Sequence, residues 1–212
     1  MRGEILAALY SYGSCQRARE LEIFALLSKI LAEPAGAGEN SEVFKELRKK
    51  LKELKPYPYY QLIAMENNIS DPFLEEVVRA YWTGNELLKK FPVWKNPYHH
   101  NFTTMEDAEI FSQHFGWKMV VANLNLCRVW WGKVKEVKES GLKIETTLLR
   151  YKEGKFSEGS PREISIKKGL LKEVAEGNLV SVHWLEAREF ITAREEYKLA
   201  VINSQFIDFL NR

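Results

Sequence analysis

Cysteine is scarce in this chain. Cys15 and Cys127 are the two present in 212 residues. They lie far apart in sequence, so no disulfide framework can be built; metal binding, catalysis or simple burial remain open for each thiol. Net charge is scarce too. The formal value of +2 gives no strong field towards nucleic acid or a membrane surface. No apolar run is long enough to cross a bilayer. The opening "MRGEILAALYSYGSC" interrupts its short apolar stretch with Glu4 and lacks a signal-peptide pattern, so a cytoplasmic location is expected. "AGAGENS" is no phosphate loop, for it lacks both the lysine and the strand-to-helix setting. There is no CxxC, HExxH or Gly-x-Ser-x-Gly. The pair Glu75–Glu76 reads as solvated helix surface.

What is present falls into two halves, residues 1–116 and 117–212, and together they predict an α+β protein. The first half is helical. "ARELEIFALLSKILAE" carries Leu21, Phe24, Leu27 and Leu31 at helical spacing, and Pro34 follows its end. A second helix opens near Ser41 and aligns Phe44, Leu47, Leu51 and Leu54. Its lysine-rich side is interleaved with Glu46 and Glu53, which suits a solvated face. A short helix follows the turn at "KPYP". "SDPFLEEVVRAYWTGNELLKKF" predicts a long helix capped by Asp71, with Gly84 on its apolar stripe for close approach of a neighbour. Another helix is expected from Thr104 to His114, opened by the Thr103–Glu106 capping box.

From Gly116 the period changes. Strands are expected at 117–124, 127–137, 142–152, 155–158, 162–167 and 179–190, with Gly154 turning a hairpin and "AEGNLV" turning into the last strand. A terminal helix opens at the Thr192–Glu195 capping box. Short strands, tight turns and one closing helix predict a small OB-like β-barrel.

The polar candidates are few. His99 and His100 occupy a loop in "NPYHHNF". Adjacent histidines point apart, so one metal ligand or a loop anchor is easier to build than a shared site. His114, near a helix end, can serve the terminal carbonyls. His183 lies in the strand "GNLVSVHW", and Cys127 opens the strand "CRVWWGKV". A strand histidine and an isolated cysteine are most often structural.

Two spacings set them apart. Cys127-x-x-x-x-Gly132-Lys133-Val134, then Gly177-Asn178-x-Val180-x-Val182-His183 and a terminal helix, resembles the HypC/HupF family of NiFe-hydrogenase assembly chaperones over about the last 90 residues. In that family the cysteine stands at the N-terminus, a proline occupies the place of Trp131, and an aspartate that of Asn178. The resemblance implies a barrel chaperone in which Cys127 and His183 form a metal site for an Fe(CN)2CO fragment in transit, with no stably bound cofactor. The partner would be a hydrogenase assembly factor or large subunit. A soft thiolate suits such iron, and an imidazole can orient or deprotonate it. The chain also resembles a prokaryotic domain-of-unknown-function family, through "AYWTGNELL", "HHNF", "CRVWWGKV" and "VSVHW".

Three functional readings follow. The first is a non-catalytic assembly or carrier protein that uses Cys127 and His183, with His99, His100, Trp131, Lys133 and Trp184 as further binding residues. The second is an enzyme with Cys127 as nucleophile and His183 as base. The third is an oligonucleotide-binding barrel that stacks bases on Trp130, Trp131 and Trp184 beside Lys133; the near-neutral charge counts against it.

Overall fold

The computed structural model describes residues 2–11, 17–32, 41–91 and 105–211. It divides into two compact units, residues 1–90 and 91–212. Among the described residues no helix is long and apolar enough to cross a membrane.

The first unit is helical. It holds α1 (Arg2–Ser11), α2 (Arg17–Ala32), α3 (Glu42–Lys52), α4 (Tyr57–Glu66), α5 (Glu75–Trp82) and a 3-10 turn at Glu86–Lys90. Ser41 caps α3 by accepting the Phe44 N–H, and Phe44, Leu47 and Leu51 are buried, as the spacing predicts. α1 packs on α5 so closely that a Cβ on Gly3 would stand 1.8 Å from the Phe73 carbonyl oxygen. The long helix expected after Asp71 is shorter. Asp71 accepts the Phe73 N–H in a preceding turn, and α5 runs from Glu75 to Trp82. Gly84 has φ +70°. It therefore supplies the left-handed conformation that ends a helix.

The second unit starts with α6 (Met105–Phe115) and α7 (Trp117–Cys127). The strand expected at 117–124 is thus a helix. Its buried residues Val120, Leu124 and Cys127 recur every three or four positions, and the adjacent valines mask that period in the sequence. Ala108 of α6 shares a core with Val120, Leu124, Leu149, Phe156 and Leu210. The boundary therefore falls at 90/91, because α6 finds its apolar partners in the second unit.

Seven strands follow: β1 (Trp130–Lys138), β2 (Gly141–Thr146), β3 (Leu149–Lys152), β4 (Lys155–Glu158), β5 (Arg162–Ile166), β6 (Leu179–His183) and β7 (Glu186–Phe190), and then α8 (Ala193–Leu210). Five make an antiparallel sheet in the order β5-β2-β1-β6-β7, while β3 and β4 form a separate hairpin. The sheet's two ends touch at one bridge, Lys167 to Glu186. Beyond that bridge, with Lys167 N–H donating to the Leu185 carbonyl and Ala187 N–H to the Lys167 carbonyl, no strand pairing joins the two edges among the described residues. Trp130, Val134, Leu142, Ile144, Val180 and Val182 line the sheet core. α8 opens on Thr192 and Glu195 with both capping-box bonds made, as expected.

Asparagine amides pin the β3–β4 hairpin. Asn125 of α7 accepts the Leu149 N–H at 2.9 Å and donates to the Leu149 carbonyl at 3.0 Å. Asn211, after α8, does the same for Phe156 at 2.8 Å in each direction. A carboxamide has the donor–acceptor layout of a peptide group, so these side chains stand in for the missing neighbouring strands.

Candidate functional site

Cys127 is the last residue of α7, so it does not open a strand. It is 1 % exposed, and its Sγ donates to Asn123 Oδ1 at 3.4 Å, one helical turn back. His183 ends β6 and is 0 % exposed. The Trp184 N–H donates to the Leu126 carbonyl at 3.0 Å. That bond seats the β6–β7 turn on the end of α7. Cys127 follows Leu126 and His183 precedes Trp184, so the backbone brings the two candidate residues to one place. It also closes them in: neither side chain meets solvent.

The turn itself is unusual. The expected single strand 179–190 is broken into β6 and β7 by a two-residue turn, Trp184–Leu185, with His183 opposite Glu186. Both turn residues have φ +55°, a conformation that Asn and Gly adopt readily and bulky residues rarely do. Periodicity could not reveal this turn, because it contains none of the residues that mark one. Arg188 is the bulge residue of β7: Ser181 faces Glu189 and Val182 faces Ala187. The bulge turns Arg188 inward, where it donates to the His183 carbonyl at 3.0 Å and lies 3.5 Å from Glu186 Oε1.

The residues of the two spacing motifs also serve the sheet. Gly132 sits where a Cβ would come within 2.7 Å of Ile144 Cδ1 and 2.9 Å of the Glu145 carbonyl oxygen. Gly177 has φ +86°. Its N–H donates to the Val134 carbonyl at 2.8 Å, and the Val134 N–H donates to the Asn178 carbonyl at 2.9 Å. Close packing therefore accounts for Gly132, and a left-handed backbone for Gly177.

Trp131 and Lys133 share the outward face of β1. The Trp131 indole N–H donates to Glu196 Oε1 of α8 at 3.0 Å, which places a carboxylate beside the ring that base stacking would use. Trp130 belongs to the sheet core, and Trp184 is half-buried in its turn. His99, His100 and Cys15 lie outside the described residues, as does the Thr103 cap. His114 lies in the last turn of α6 and is exposed. Among the described residues, no group of three or more His, Cys, Asp or Glu side chains could hold a metal ion.

Spacing alone also passes over the polar groups around the end of α7. Arg128 is the C-cap residue of α7. Burial pushes its guanidinium down to about 10, with Glu158 acting weakly in the opposite direction. Its Nη1 donates to Asn203 Oδ1 at 2.8 Å and its Nη2 to Asn125 Oδ1 at 3.3 Å. The sequence does hold a signal for it, an arginine placed between apolar residues in "LNLCRVWW".

No curated protein and no solved structure matches the chain, and none of the comparisons supports the likeness to hydrogenase assembly chaperones. A family model does match, over residues 32–95 and 98–212. The break between those segments lies close to the boundary between the two units. The chain belongs to DUF6390, a family of unknown function.

Proposed function

We propose that the protein is a non-catalytic assembly or carrier protein whose working contacts are with another protein. The observation that carries this reading is a run of apolar side chains, close in sequence, left in solvent where α6 meets α7. Ile110, Phe115 and Met119 are 51 %, 61 % and 51 % exposed. Large apolar groups concentrated within ten residues at a helix corner mark a contact surface better than a scattering of single exposed side chains does.

The burial of Cys127 and His183 weighs against the enzyme alternative. A nucleophile and its base must reach a substrate carbon, and these two are shut off from solvent. The same burial restricts the iron-carrier version. An Fe(CN)2CO fragment would reach Cys127 only if the packing that encloses it opened. In this reading the pair supports the fold around a protein-binding surface.

The test is in-cell cross-linking of the full chain, comparing wild type with the Phe115→Ser, Met119→Ser double variant. A defined partner that cross-links to the wild type and is lost from the double variant, with its melting temperature unchanged, is the expected result. An identical cross-linking pattern would sink the reading. Cys127→Ala tests the iron version separately. Unchanged partner recovery and unchanged iron content of the purified protein would eliminate it.

A further inference from the structure

We propose that a small monovalent anion, of halide or formate size, binds in the interior of the second unit between Arg128 and Asn203. This goes beyond the protein-binding reading and is independent of it.

The argument rests on what surrounds a buried charge. Arg128 is 3 % exposed and Asn203, in the middle of α8, is 4 % exposed. The contacts of the guanidinium are amide oxygens, those of Asn203 and Asn125. The Asn125 oxygen is shared with the Leu149 N–H. No carboxylate of the described residues comes within ion-pair distance; Glu158 acts only through space. Taking a cation out of water without a counter-charge costs several kcal/mol, and amide dipoles replace only part of that solvation.

The atoms left over at this place agree in kind. Arg128 Nε and Asn203 Nδ2 are both fully buried and neither has a hydrogen-bond partner. Both are donors. Because Asn203 turns its oxygen to the guanidinium, its amide N–H groups are what remain to be satisfied. A set made only of donors, next to a full positive charge, is the complement of an anion. A cation would be repelled. A neutral acceptor would satisfy the donors but leave the charge uncompensated. Both residues are shut off from solvent, so an occupant must be small enough to be held without displacing the side chains packed around them.

Such an anion stabilises the folded state by mass action. The melting temperature of the full-length wild type should rise with chloride concentration and be lower in gluconate, an anion too large to enter, at matched ionic strength. Asn203→Asp places a carboxylate where the amide oxygen now meets Arg128. That internal counter-ion should abolish the difference between chloride and gluconate. Equal melting temperatures of the wild type in the two salts, or the same anion dependence in both proteins, would overturn the proposal. Bromide-soaked crystals of the wild type give a measurement that needs no variant. An anomalous peak within hydrogen-bond distance of Arg128 Nε and Asn203 Nδ2 is expected, and its absence would reject the site.

Discussion

Both units bury charge, and Glu4 of the helical unit and Arg128 of the sheet unit are handled in opposite ways. In the helical unit the Glu4 carboxylate meets the Arg48 guanidinium at 2.6 Å. Arg48 also reaches Asp71 and lies over the Phe73 ring, 5.1 Å from its centroid. In the sheet unit the buried Arg188 lies near Glu186, but the buried Arg128 is surrounded by amides. The difference shows what each environment can supply. Arg48 stays one-third exposed, so it keeps part of its hydration while compensating Glu4. Arg128 has no such outlet, and its neighbours on α7 and α8 offer dipoles without charge.

The strongest way to break this comparison is to remove the cation of the helical unit. Arg48→Met should destabilise that unit by about 3 kcal/mol, since it takes the Arg48 guanidinium away from the buried Glu4 carboxylate. Hydrogen exchange across residues 2–11 and 42–52, followed through urea, reads it out. A cost under about 1 kcal/mol would mean the pair acts as a surface bridge.

Close backbone approach gives a second test, with one glycine in each unit. Gly3→Ala and Gly132→Ala should each cost about 2 kcal/mol by overpacking. Gly3 should be the worse of the two, because its added carbon meets a backbone oxygen at 1.8 Å, whereas Gly132 meets a side-chain methyl at 2.7 Å and a backbone oxygen only at 2.9 Å. The reverse order in urea midpoints would contradict the geometry.

Amide bridging is specific to the sheet unit. Asn125→Ala should cost about 2 kcal/mol, since it removes two hydrogen bonds to Leu149 and one to Arg128. The Leu149 amide should then exchange faster, and no change in its protection would show that the clamp is dispensable.

A smaller effect depends on pH. Burial raises the Tyr60 phenol well above its ordinary value, against the opposing hydrogen bonds from Trp82 and Ser11. A raised folded-state value means that unfolding releases the proton more readily. The stabilising contribution is therefore complete below the unfolded value of about 10 and is lost as the pH climbs above it. The helical unit should weaken from that pH upwards, and Tyr60→Phe should flatten the alkaline decline. An unchanged alkaline slope in the variant would contradict this.

The smallest effect belongs to the sheet surface. Glu163 and Lys143 pair at 2.5 Å in solvent. The hydrogen bond and charge of Lys143 hold the Glu163 carboxyl below its usual range, so its contribution is present above the unfolded carboxylate value and lost as the pH falls through the lower, folded one. Glu163→Gln should leave the melting temperature at neutral pH nearly unchanged. A clear drop would show that this pair does more than an ordinary surface bridge.

Local chemistry was legible where the cause is local. Ser41, Thr192 and Glu195 cap the helices the sequence marks, and the apolar stripe of α3 lies buried. Gly154 and Gly177 turn with positive φ where turns were expected. The misreadings share one origin. Residues 117–127 carry valines and a tryptophan that favour strands, yet the run is helical because Val120 and Leu124 complete a core with Leu149, Phe156 and Leu210. Those partners lie more than twenty residues away, and no local window contains them. The Trp184–Leu185 turn is similar, held in place by the distant Leu126 carbonyl and by Lys167, whose N–H donates to the Leu185 carbonyl.

For the candidate site, the sequence by itself marked Cys127 and His183 as the residues worth locating and separated a helical half from a strand-rich one. Tertiary structure decided that both lie at the junction of α7 and the β6–β7 turn, that both are enclosed, and that Arg128 is buried among amides beside them. The physical reason is range. Caps, turns and periodicity arise between residues a few positions apart, so the chain order records them. Burial and charge compensation depend on what arrives from α8 or β7, 50 or more positions away in sequence, and only the folded chain brings those groups together.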